Sequence, residues 1–60
     1  MSEINETILF EIFRKYPEAV IDMEMPGEIH FFISEKQKEN YDNIHSAYFL
    51  NGELIITNDF

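Results

Sequence analysis

Apolar residues recur at helical spacing along one stretch of this chain. Ile4, Ile8, Leu9, Ile12, Phe13 and Tyr16 cover roughly half of a wheel turned about 100° per residue, which predicts a helix over residues 3–15. Ser2 is placed to cap it, Glu3 and Glu6 sit near its positive end, and Arg14 and Lys15 near its negative end. Pro17 disfavours helical geometry at Tyr16 and closes the element. Phe10 falls outside the apolar arc and reads as an exposed aromatic.

Beyond Pro17 the period drops to two. Ala19, Ile21, Met23 and Met25 alternate with Val20, Asp22 and Glu24; Ile29, Phe31 and Ile33 alternate with His30, Phe32 and Ser34. Both runs read as strands, with Pro26 and Gly27 turning the chain between them. A two-residue loop pairs Asp22 with Phe31 and splits the two apolar rows between faces. A three-residue loop over residues 25–27 pairs Ile21 with Phe31 and Met23 with Ile29, which collects both rows on one face. It also gives Gly27 the left-handed position, so the three-residue loop is preferred.

Residues 34–43 are polar and read as a connection with room for a short helical turn. Two further strands, 44–50 and 53–58, flank Asn51 and Gly52, the strongest short hairpin signal a sequence offers. The tight turn pairs Phe49 with Leu54 and Ala47 with Ile56 on one face, and Tyr48 with Ile55 and Ser46 with Thr57 on the other. The chain is therefore expected to be a single α+β domain over residues 1–60, an N-terminal helix packed on one face of a four-stranded antiparallel sheet made of two hairpins.

A helix covers one sheet face. Ile21, Met23, Ile29, Phe31, Ala47, Phe49, Leu54 and Ile56 are expected beneath it. The other face then shows Val20, Phe32, Tyr48, Leu50 and Ile55 among the acidic rim of Asp22, Glu24 and Glu28, with His30 beside them. An uncovered antiparallel face is normally polar, so five apolar side chains there mark an interaction patch.

Charge sharpens this picture. Twelve acidic residues against four basic ones leave a formal net charge of -8 on 60 residues. Such a field repels nucleic acid and anionic membranes and attracts basic surfaces. The composition is still that of a folding chain, because 45% is hydrophobic and Phe and Tyr supply the aromatic residues. Size sets the next limit. Area scaling gives roughly 90 kcal/mol of apolar burial, and ordering the chain costs about as much. With no cysteine to form a disulfide, oligomerisation or a partner is the expected reinforcement, and a homodimer through Val20, Phe32, Tyr48, Leu50 and Ile55 is the expectation.

Catalytic and cofactor chemistry find little support. Asp22 faces His30 in the preferred register, but no serine or cysteine nucleophile is placed beside the pair. His30 and His45 lack metal-ligand spacing. The two glycines sit in turns and form no phosphate loop. The expectation is a protein that is not an enzyme and needs neither cofactor nor metal. The acidic N-terminus lacks the basic stretch of a signal peptide, and no apolar run approaches membrane length. A cytoplasmic protein with no membrane and no direct nucleic-acid contact is expected.

Three function classes fit these bounds. The first is a stoichiometric inhibitor or masking protein that occupies a basic, nucleic-acid-binding surface on another protein. Carboxylates on Glu3, Glu6, Glu11, Glu18, Asp22, Glu24, Glu28, Asp42, Glu53 and Asp59 would stand in for phosphates. In size and charge the chain resembles small acidic inhibitors made by phages, a likeness of composition that carries over no residue; a phage-encoded chain would act in the host cytoplasm. The second class is a homo-oligomeric small-ligand binder or sponge using Phe32, Tyr48, His30 and His45. The third is a structural or assembly subunit.

Overall fold

The computed structural model describes residues 3–41 and 43–59, and the Asp59 side chain is left aside. Ser2, Asp42 and Phe60 lie outside the described residues. Helix α1 runs Glu3–Lys15, strands β1 Val20–Met25 and β2 Glu28–Phe32 form a hairpin, and helix α2 spans Glu35–Asn40. Strands β3 Ile44–Leu50 and β4 Glu53–Asp59 form the second hairpin. The sheet is an antiparallel meander in the order β1-β2-β3-β4. It is the α+β arrangement that the hydrophobic pattern predicts, with α2 filling part of the polar connection.

Helix α1 lies over β2 and β3. Its buried stripe is Asn5, Ile8 and Ile12, continued by Leu9 and Tyr16 at the edge of the core. Ile8 and Ile12 pack with Ile29, Phe31 and Ala47, while Ile21, Phe49, Leu54 and Ile56 close around them. The stripe is narrower than the apolar arc of the sequence, so Ile4 and Phe13 are exposed together with Phe10. A sheet of short strands presents too little floor to bury half of a helix.

The two hairpins differ in how they turn. Asn51 and Gly52 both take positive φ, 53° and 81°, which is the primed two-residue turn whose twist matches its strands. Its register runs without interruption from Ile44 opposite Asp59 to Leu50 opposite Glu53. The first hairpin corrects the preferred register. Met25 pairs with Glu28, so the loop is the two residues Pro26 and Gly27, and Met23 faces His30 rather than Ile29. Further along, Ile21 still faces Phe31, because the register shifts between Ile21 and Met23. Proline before a glycine at φ 83° is the pattern of a type II turn, which splays strands of right-handed twist. A bulge at Asp22 adds twist and restores the pairing of Ile21 and Phe31.

Helix α2 is held by local chemistry. Ser34 Oγ accepts the Gln37 N–H at 3.3 Å, and Tyr41 ends the helix in the left-handed region at φ 49°. That cap brings the Tyr41 ring to Phe32, centroids 5.5 Å apart.

His45 is buried on the helix-covered face opposite Phe31. Its ring lies 5.4 Å from that of Phe31 and 6.3 Å from that of Tyr16, and Nδ1 has no hydrogen-bond partner among the described residues. A buried polar atom without a partner costs stability, and a phenyl ring fits the same aromatic surroundings. His45→Phe is therefore expected to stabilise the fold by about 1 kcal/mol, raising Tm by roughly 4–8 °C in a domain of this size. Thermal melts followed by circular dichroism check this, and a lowered Tm refutes it.

Candidate functional site: the outer sheet face

The register orders the uncovered face into rows that cross the sheet. Nearest the two hairpin turns, Met25, Glu28, Tyr48 and Ile55 stand side by side. Met23, His30, Ser46 and Thr57 form the next row, followed by Val20 and Phe32. Leu50 and Glu53 extend the face beyond the first row.

Exposure then separates the rows. Met23, Met25 and Leu50 retain 51%, 36% and 56% of their surface, with Tyr48 and Ile55 half-buried between them. Glu28 and Glu53 supply carboxylates at the same end. The far row is closed. Phe32 has 0% exposure beneath Tyr41, and Val20 is half-buried. The accessible patch is thus Met23, Met25, Tyr48, Leu50 and Ile55, displaced toward the turns. Methionine thioethers are soft and adaptable, which suits them to an irregular partner surface.

Each residue expected at the site has a place. Tyr48, Leu50 and Ile55 share the accessible end, whereas Phe32 cannot be reached because the connection folds over it. Among the acidic rim, Glu28 is on the outer face. Asp22 sits exposed in the bulge. Glu24 is turned to the helix side, opposite Ile29, where its Oε2 accepts the Asn5 Nδ2–H at 3.0 Å. The bulge also brings Met23 outward, where the sequence pattern had placed it beneath the helix. A two-residue turn at Pro26 and Gly27 is the signal that would have found Met25.

The polar chemistry of this face is local. His30 pairs with Glu28, Nε2 to Oε2 at 2.6 Å, rather than with Asp22. Ser46 lies directly opposite His30, a neighbour that sequence spacing did not reveal. Serine, imidazole and carboxylate therefore share one face, but Ser46 keeps only 3% exposure and its hydroxyl is closed to a substrate. Among the described residues no group of three His, Cys, Asp or Glu side chains could hold a metal ion. No helix among them is long and apolar enough to cross a membrane.

The helix-covered side carries a different feature at its margin. A groove of about 390 Å³ runs between α1 and β4, lined by Glu11, Arg14, Lys15, Leu54 and Ile56. Glu11 grips the Arg14 guanidinium with two hydrogen bonds of 3.1 and 3.0 Å. That hydrogen bond and the carboxylate charge raise the Arg14 pKa above its ordinary value. Comparison with known protein families, with curated proteins and with solved structures gave no match to this chain.

Proposed function

We propose that this chain is a stoichiometric binding module that docks its outer sheet face on a basic surface of another protein and masks it. The carrying observation is the accessible apolar patch of Met23, Met25 and Leu50 beside Glu28 and Glu53, on a body with a net charge of -8. Apolar side chains at the centre supply the anchor and the acidic surround steers the encounter. A surface that binds nucleic acid is the complementary partner, since carboxylates can occupy phosphate positions. The chain itself binds no nucleic acid, performs no catalysis on this reading, and acts in the cytoplasm, the host's if it is phage-encoded.

The test is kinetic. The full chain carrying a photocrosslinker at Leu50 captures the protein docked there, and the purified partner is then measured against variants at two salt concentrations. Glu28→Gln with Glu53→Gln is expected to slow association and flatten its salt dependence, because exposed charges act over about 8 Å at physiological ionic strength. Leu50→Asp is expected to speed dissociation instead. An on-rate indifferent to both salt and the two carboxylates would retire the masking role.

A further inference from the structure

The two edges of the sheet are protected very differently. Strand β1 carries a bulge at Asp22, two carboxylates on Asp22 and Glu24, and Pro26 at its end. Those are the devices by which an edge refuses another strand. Strand β4 has no bulge and no proline, and its acidic residues, Glu53 and Asp59, stand only at its two ends. Its seven residues pair with β3 without a shift, and its centre is Leu54, Ile55, Ile56 and Thr57, with no charge, proline or bulge. A long regular apolar edge of this kind is a template for pairing.

We infer that β4 pairs antiparallel with β4 of a second copy, joining the two sheets into one across a two-fold axis. The backbone fixes the register. The tight turn at Asn51 and Gly52 closes on the pair Leu50 and Glu53, so Glu53, Ile55 and Thr57 direct their backbone groups toward β3. Leu54, Ile56 and Asn58 direct theirs outward. Of the registers that use those outward groups, two overlap the most of the strand about its apolar centre. One sets Ile56 against Ile56 and opposes acidic positions 53 and 59, which disfavours it. The other sets Leu54 against Ile56 of the second copy, Glu53 against its Thr57, and Ile55 against Ile55 at the axis. This second register joins apolar side chains on both faces and opposes no like charges.

The groove beside β4 supports the same occupant. Helix α1 lies over β2 and β3, leaving Leu54 and Ile56 half-buried with an open flank. The second copy's Leu54 and Ile56 would lie against that flank. Arg14 and Lys15 border it, with Arg14 already held by Glu11, so the contact rests on the apolar side chains and the backbone pairing. On the outer face, Ile55 of one copy then meets Ile55 of the other at the seam, with Tyr48 flanking it on β3 of each copy, so the dimer presents its docking surface twice. The pairing itself does not depend on the masking role, and its test uses this chain alone.

Because the chain contains no cysteine, single cysteines report the register cleanly. Ile55 against Ile55 is a non-hydrogen-bonded pair with Cα atoms about 4.5 Å apart, within disulfide reach. Under mild oxidation Ile55→Cys is expected to give a covalent dimer at least about tenfold faster than Thr57→Cys or Leu50→Cys. Light scattering of the unmodified chain should give twice the 7.2 kDa chain mass. Ile55→Lys and Ile55→Glu should each be folded monomers, and mixing them should restore the dimer. A single-chain mass for the unmodified protein at high concentration overturns the inference. So does equally fast crosslinking at all three positions, or a dimer that survives both charge variants. If Ile55→Lys fails to fold, the cysteine series decides alone.

Discussion

Phe32→Asp is expected to unfold the chain at room temperature, although Phe32 lies on the face that the helix leaves uncovered. The ring has no exposure and rests against Tyr41, and Val20 stands opposite it on β1. Losing a buried phenyl group costs about 3–5 kcal/mol, and placing a carboxylate in the same site adds several more. A domain of 60 residues has only about 3–9 kcal/mol to lose, at roughly 0.05–0.15 per residue. Leu50→Asp on the same face should change stability by no more than about 0.5 kcal/mol, since that side chain already meets water. Circular dichroism and amide dispersion in NMR spectra compare the pair. A folded Phe32→Asp variant melting within a few degrees of Leu50→Asp would show that the connection does not cover this end of the sheet. Folding and the proposed binding thus rest on different residues of one face. Phe32 belongs to the fold, and Leu50 stays exposed to solvent.

How far the residues reveal this arrangement depends on the range of the forces involved. Helix α1 and the hairpin at Asn51 and Gly52 are legible because propensity, capping charges and turn chemistry act within a few residues. The pairings of Phe49 with Leu54 and Ala47 with Ile56 follow once that turn is fixed. The first hairpin resists such reading because two local demands compete. Pro26 and Gly27 favour a two-residue turn, whereas the apolar rows favour the register of three. The bulge at Asp22 satisfies both, and it alone decides that Met23 and Glu24 exchange faces. No spacing rule announces a bulge. The cover over Phe32 is hidden for another reason: it depends on where a six-residue helix and its left-handed cap at Tyr41 carry an aromatic ring. The outer face was therefore legible as a surface, while its accessible part was not.

Asn5→Ala should produce the other large loss, from a residue that the helical pattern leaves unremarked. Asn5 sits in the first turns of α1, is buried, and spans to the β1–β2 turn. Its Nδ2 donates to the Met25 carbonyl at 2.9 Å and to Glu24 Oε2 at 3.0 Å, while Oδ1 accepts the Gly27 N–H at 2.7 Å. The amide thus satisfies both backbone groups of a tight turn and a carboxylate turned toward the helix. Alanine suits a helix better by roughly half a kcal/mol. Against that, the part-buried Gly27 N–H and Met25 carbonyl lose their side-chain partner, each costing about 1–3 kcal/mol. A net loss of about 2–4 kcal/mol is expected, lowering Tm by roughly 10–20 °C. Asn5→Asp sharpens the test. It keeps an acceptor for the Gly27 N–H but sets a second carboxylate against Glu24, so it should be at least as damaging as alanine. Adding Glu24→Gln should recover part of that loss, which a double-mutant cycle reads as a favourable coupling. Additive effects, or an Asn5→Ala loss below about 0.5 kcal/mol, would show that the clamp is idle. Binding should follow the same clamp. Met25 contributes its carbonyl to Asn5 and its side chain to the proposed docking patch, so, if the chain binds as proposed, a loosened turn is expected to weaken that complex even where the chain remains folded.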